Sequence, residues 1–386
     1  MSAPVFSDSI RYIGVDDQTI RVFEGQYPVP NGISYNSYVI LDEKVAVMDT
    51  VDARTTQPWL DNLARELAGR TPDYLVVQHM EPDHAANVAN LMALYPEMKI
   101  VSNAKVFPMI TAFFGNAVPA DRQIIVKEGD TLSLGAHTLT FVMAPMVHWP
   151  EVMMSYESAE KILFSADGFG KFGTLDTDEP WLDESRRYFL NIVGKYGAQV
   201  QAVLKKAAGL DIRTICPLHG PVLTENLGYY IGLYDTWSRY VPEERGTAIF
   251  VASAHGNTLR AAQKLFELLE NKGRRVTLVD LSQTDVSEAV AQAFRYDTCV
   301  FASITYDGML FPTMESLISH LAMKTWRGRR VALMENGSWA PMAAKLMRAK
   351  LETLKDITFC ENQVSIKSAL NAASLAQLEA LAAELA

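Results

Sequence analysis

From residue 247 to 385 the chain alternates between short apolar runs and runs of helical period, and this alternation leaves it few folds to choose from. The apolar runs cover residues 247–252, 275–280, 298–302, 331–334 and 357–360. Helix-period runs follow each of them, at 259–271, 286–294, 313–324, 342–350 and 374–385. Strands separated by a helix pair in parallel through a crossover. Five such βα units predict a doubly wound parallel sheet with helices on both faces.

A polar break with Pro and Gly, Val241-Pro242-Glu243-Glu244-Arg245-Gly246, precedes this region and marks a domain boundary. The expected division is 1–245 and 246–386, in keeping with a chain too long for one typical domain. The first domain is patterned differently. Residues 34–40 and 44–49 read as strands joined by a tight turn at 41–43, and 58–67 as a helix. Further strands are expected at 74–77, 100–102, 123–126, 138–142, 161–165 and 214–218. Many short strands with helices between and outside them suggest a layered α/β or α+β architecture.

In that first domain, Gln78-His79-Met80-Glu81-Pro82-Asp83-His84 follows an apolar strand and precedes a helix-like run. It packs four metal-ligand side chains, His79, Glu81, Asp83 and His84, into one loop. His79 and Glu81, at alternate positions, can converge on one ion. Pro82 bends the path, so Asp83 and His84 can serve a second. Nitrogen and carboxylate donors together suit iron, manganese or zinc rather than copper(I). A polar loop with Asp83 capping a helix is the plainer alternative. Three later residues each end an apolar run beside Gly or Pro: His148, Asp167 and His219. They supply one more imidazole per ion and one carboxylate to bridge. Of the other histidines, His137 reads as a turn residue and His320 as a helix-face residue.

In the second domain, Ser253-Ala254-His255-Gly256-Asn257-Thr258 joins the first strand to the first helix. Small polar residues, a Gly and a helix N-terminus form an anion cradle without a Lys. It is neither a G-x-G-x-x-G loop nor a Walker A loop. Loops 303–308 and 336–339 leave the same sheet edge. Tyr306 and Trp339 can flank a planar ring there, or serve as packing. The basic run at 324–330 reads as a solvated helix end.

The order H-x-E-x-D-H, then His, Asp, His, together with the lead-in at residues 30–38, resembles the metallo-β-lactamase-like domain of the flavodiiron proteins. The loop at 253–258 resembles the FMN-phosphate loop of flavodoxins. The resemblance implies an N-terminal αββα sandwich followed by a flavodoxin-like sheet. It implies that His79, Glu81 and His148 hold one iron, that Asp83, His84 and His219 hold the other, and that Asp167 bridges. Hydrolytic relatives read H-x-H-x-D-H and bind zinc; Glu81 stands where their second His would be. FMN would be held by Ser253, His255, Gly256, Asn257 and Thr258, by Ser303, Ile304, Thr305, Tyr306, Asp307 and Gly308, and by Asn336, Gly337, Ser338 and Trp339. Ile304 replaces the Pro of the family's usual Ser-Pro-Thr, Tyr306-Asp307 stands near its paired Asn, and the third loop lacks the usual Gly-Ser-x-Gly-Trp.

The implied activity is reduction of O2 to water, of NO to N2O, or both. The electron donor would be rubredoxin or another small carrier. A head-to-tail homodimer, or a dimer of such dimers, would bring the flavin of one chain to the irons of the other. The rival readings are a zinc hydrolase with an accessory flavodoxin-like domain, and an electron carrier using FMN alone. A net charge of −10 argues against nucleic acid and anionic membrane surfaces as partners. No apolar run is long enough to span a bilayer, and residues 1–8 lack the pattern of a leader. Cys216, Cys299 and Cys360, far apart and in apolar runs, read as reduced thiols of a cytoplasmic protein.

Overall fold

The computed structural model describes residues 7–386; the leader reading of the N-terminus falls largely on residues 1–6, outside the described residues. The chain divides into two compact units. One runs to Phe189 and takes in Ala198–Asp235; the other holds Leu190–Gly197 and Thr236–Ala386.

Two sheets build the first unit. In one, the strand order is Ile10–Tyr12, Tyr38–Leu41, Val45–Met48, Tyr74–Val76, Lys99–Ser102, Gln123–Ile125. In the other it is Thr131–Ser133, Thr138–Met143, Met153–Glu157, Ile162–Phe164, Thr214–Cys216. One apolar cluster joins them, with Ile40, Met48 and Val76 from the first sheet against Phe141, Met153 and Phe164 from the second. On the Thr56–Leu67 helix, Trp59, Leu63 and Leu67 recur every four residues and are buried, the amphipathic spacing of a helix covering a sheet. This is the αββα sandwich.

The expected strand over 34–40 is broken. Ile33–Tyr35 pairs with Val15–Asp17, whereas Tyr38–Leu41 belongs to the large sheet. The side chains between them bond to backbone instead. Asn36 Nδ2 donates to the carbonyls of Pro217 (2.9 Å) and Gly220 (2.8 Å), and Ser37 Oγ to that of Asp49 (2.9 Å). Such bonds compete with a ladder. His137 is a turn residue, as expected, and is also buried. Its backbone N–H and Nδ1 both lie 2.7 Å from Asp42 Oδ2, which ties the hairpin turn of one sheet to that of the other.

In the second unit the parallel strands run in the order Val276–Asp280, Glu244–Ala252, Tyr296–Tyr306, Arg330–Asn336, then a fifth strand. This 2-1-3-4-5 order reverses direction beside the first strand, where doubly wound sheets bind ligands. The register aligns Ala252 with Ser303 and Ile304 with Asn336, so the strand-end loops gather at one edge. The fifth strand comes in two pieces, Thr358–Phe359 and Val364–Ile366, both pairing with Arg330–Asn336. Between them the N–H groups of Glu361 and Asn362 donate to Glu384 instead of to a strand.

The basic run at 324–330 is not a solvated helix end. Trp326 is buried and donates from Nε1 to Ala293 O at 2.8 Å. Arg329 is buried and donates to the carbonyls of Tyr240, Arg327 and Phe294, and the Arg327 guanidinium lies 3.9 Å over the Tyr240 ring. Carbonyls left over at element ends make an internal site for the cation that periodicity does not reveal. All three cysteines are free and buried. Among the described residues no helix is long and apolar enough to cross a membrane.

Candidate metal centre

The Tyr74–Val76 strand lies between two parallel neighbours, so the loop after it starts from a fixed point. Asp49, at the end of the neighbouring strand, receives the Gln78 N–H at 2.7 Å and the Gln78 side chain at 2.8 Å. His79 follows, fully buried. Glu81 is the N-cap of the short Pro82–Ala85 helix, whose first turn carries Asp83 and His84. Pro at the first helical position turns the chain there. The loop thus divides as its spacing suggested.

Two groups of donors result: His79, Glu81, His148 and Asp167 in one, and Asp83, His84 and His219 in the other. Within each, the donor atoms all lie within 4.8 Å of one another. In the first, His79 Nε2 is 3.2 Å from both Glu81 Oε2 and Asp167 Oδ2. His148 Nε2 is 3.0 Å and 3.2 Å from the same two oxygens. In the second, Nε2 of His84 and of His219 lie 3.3 Å and 3.2 Å from Asp83 Oδ2. Asp167 turns its other oxygen to this group, Oδ1 being 3.4 Å from His84 and 3.9 Å from His219. One carboxylate therefore faces both groups.

Two facts fit cations here. The Nε2 atoms of His84 and His219 approach to 3.1 Å. All four carboxylate oxygens of Asp83 and Asp167 are buried with no hydrogen-bond partner. Buried polar atoms are ordinarily paired. Without metal, the charges answer one another. Burial pushes the imidazoles of His79, His84 and His148 down, but carboxylates around them, Asp167 above all for His79 and His148 and Asp83 for His84, outweigh it and raise all three, His148 to about 9. Burial pushes Asp167 up, and the facing imidazoles bring it well below the usual range.

Sequence reasoning missed two residues behind these candidate ligands. Glu151 Oε1 lies 2.8 Å from His79 Nδ1. Asp49 ends an apolar strand, the same signal that marks Asp167, and burial pushes it up to about 6 against the bonds from Gln78.

In the second unit a cavity of about 570 Å³ opens among the strand-end loops. Ser253, His255, Asn257 and Thr258 line it from the first loop, Ile304, Thr305, Tyr306, Asp307 and Gly308 from the second, and Asn336, Gly337, Ser338 and Trp339 from the third. Gly256 and Ser303 do not line it. Gly256 is the left-handed N-cap of the Asn257–Glu270 helix (φ +81°) and gives its N–H to Ser253 Oγ at 3.1 Å. Thr305 Oγ1 also accepts the N–H groups of Met342 and Ala343 at the start of the Ala343–Leu351 helix. Asn336 knits three loops, donating to Thr258 Oγ1 at 3.3 Å and to Ser368 O at 3.0 Å. Trp339, 93% exposed, and Tyr306, 48% exposed, stand at the cavity, against the plain-packing alternative. Ser368, unforeseen, also lines it and bonds Ser338 Oγ at 2.8 Å. It follows the second piece of the fifth strand, the piece that the sequence pattern hid. The size suits a cofactor, and the helix's first-turn N–H groups suit a phosphate.

A family model described as "ODP family beta lactamase" matches residues 33–220. The anaerobic nitric oxide reductase flavorubredoxin of Escherichia coli is 28% identical over 361 residues, covering 90% of this chain and 75% of that protein. The flavodiiron protein from Giardia intestinalis superposes with a TM-score of 0.93 at 24% identity, over 100% of this chain and 96% of that one. The rubredoxin oxygen:oxidoreductase of Desulfovibrio gigas does so with a TM-score of 0.90 at 25% identity, over 100% and 98%.

Proposed function

We propose that this chain, a flavodiiron protein, is an oxidoreductase that reduces O2 to water, NO to N2O, or both, at a non-haem diiron site fed by FMN. The observation that carries the reading is the pair of ligand groups sharing Asp167, with its two buried oxygens turned one to each group. His79, Glu81 and His148 are the proposed holders of one iron, Asp83, His84 and His219 of the other. Glu81 supplies a carboxylate where zinc hydrolases carry an imidazole, which makes the donor set harder. When bound, the flavin contributes two electrons and the two ferrous ions two more, the number that O2 needs to become water. The chain's own part is to fix both ions, bury them among apolar side chains and hold the anionic oxygens at set distances from them.

The flavin would lie in the cavity of the second unit, with its phosphate on the first-turn N–H groups of the Asn257–Glu270 helix. We place the functional division at 1–245 and 246–386. The donor is rubredoxin or another small carrier, and the compartment is the cytoplasm, a reading supported by three unpaired buried thiols.

Metal analysis of active protein should find about two irons per chain, as the paired ligand groups require. Turnover with O2 and, with oxygen excluded, with NO, from one reduced donor, ranks the two gases. Active protein carrying zinc and no iron would replace this reading with the hydrolase.

Electron transfer falls steeply with distance, so flavin and irons must meet closely. A head-to-tail homodimer, each flavin unit facing its partner's metal unit across a two-fold axis, provides this. Mixing a His84→Ala chain with a Thr258→Glu chain, in which a carboxylate beside the phosphate expels the flavin, under subunit exchange should restore part of the activity. No recovery, with exchange demonstrated, would mean transfer within one chain.

A further inference from the structure

The two ligand groups are alike in donors: each has two imidazoles, one carboxylate of its own and one oxygen of Asp167. They differ in what stands behind the imidazoles. An imidazole that turns the Nε2 lone pair to a metal carries its proton on Nδ1, and that N–H needs an acceptor. For His219 the acceptor is the carbonyl of Ser34, at 2.7 Å. For His84, Nδ1 has no partner among the described residues. For His79 it is the carboxylate of Glu151, 2.8 Å away.

Glu151 is itself firmly held. Its side chain is fully buried. The Met80 N–H donates to the same Oε1 at 2.9 Å, and Asn103 Nδ2 donates to its backbone carbonyl at 2.6 Å. It sits three residues after His148, so one segment brings both a ligand and the group that aims another ligand of the same position. An anionic acceptor behind an imidazole fixes the tautomer and strengthens the nitrogen as a donor, more so where water is excluded. A neutral carbonyl does this less, and an unpartnered Nδ1 not at all.

We propose that Glu151 is a positioning residue that, through His79, makes the His79–Glu81–His148 position the tighter of the two, first to fill and last to be stripped. This rests on the two-metal reading, though not on the metal being iron. The test uses metal-free full-length chain and cobalt(II) without oxygen. Crystals loaded with one equivalent should show anomalous density at the position of His79 and His148. Titration followed by visible absorption should resolve two steps. Glu151→Gln should weaken the first step by about 10–100-fold and leave the second within about twofold, as loss of an outer partner does elsewhere. Glu151→Asp, which keeps the charge, should recover part of that loss, where a merely structural role would not.

The proposal fails if the first cobalt enters the His84–His219 position or divides equally. It also fails if Glu151→Gln changes neither step, or weakens both equally with no rescue by Asp. If the Gln variant does not fold, Glu151→Asp alone is titrated: it should weaken the first step and spare the second, and an unchanged first step would overturn the proposal. No cobalt binding in the unaltered chain would sink the two-metal reading, and this one with it.

Discussion

Removing the metals should make the stability of the first unit depend on pH in a window that the loaded protein does not share. In the metal-free chain His79, His84 and His148 are raised above their usual value, because the carboxylates around them outweigh burial. A group whose folded pKa is raised adds stability that is complete below its unfolded value and lost as pH rises through the folded one. The window therefore opens near pH 6.5 and, for His148, closes at about 9. That one ring accounts for about 3 kcal/mol across the window, from about 1.4 kcal/mol per pH unit. For a unit of this size the loss corresponds to a fall in Tm of about 6–12 °C. Metal-bound rings are already neutral and have no second proton to lose, so the loaded protein should stay flat while its metal affinity rises with pH. The assay is thermal unfolding of chelator-stripped and reloaded protein at pH 6.5, 7.5 and 9, following the transition that reloading shifts. His148→Ala in the stripped form should shrink the fall. An unchanged Tm in the stripped protein, or a parallel fall in the loaded one, would refute the reasoning.

Asp49→Ala leaves the buried Gln78 N–H without its acceptor; it should cost about 1–3 kcal/mol in a denaturant melt and weaken metal binding about 10–100-fold by loosening the loop. Asn257→Asp places a negative charge at the helix N-terminus; it should stabilise the second unit by about 0.3–1 kcal/mol while weakening FMN roughly tenfold in a fluorescence titration, because it repels the phosphate. His137→Ala removes the ring's contacts with Asp42 and Glu160 but keeps the backbone N–H on Asp42, and should cost about 1–3 kcal/mol. Burial pushes Asp42 up, but the N–H and ring of His137 hold it down to about 2. Its contribution is therefore present above about pH 4 and lost as pH falls toward 2; acid melts of the variant should show a smaller component, the part due to the ring being gone.

The sequence by itself carried the local physics. Short apolar runs and runs of helical period named most strands of the parallel sheet and most of its helices. The candidate ligands were legible because ionisable side chains at the ends of apolar strands, beside Gly or Pro, have little reason to stand there except chemistry. Pro82 was enough to foresee that the loop splits between two groups. What escaped was what depends on residues distant in the chain. Glu151 meets His79 across 72 positions, whereas the grouping of His84 with His219, across 135, was foreseen through the family resemblance alone. Neither pairing leaves a local trace, and Asp49 looks like any strand end until it is seen to hold Gln78. The break at Asn36–Ser37, the split fifth strand that delivers Ser368, and the burial of Arg329 have one cause in common. In each, a polar group takes as its partner a backbone group or side chain that only the folded chain brings within reach. Periodicity reports which face of an element is apolar; only the tertiary structure decides which polar partner satisfies the other.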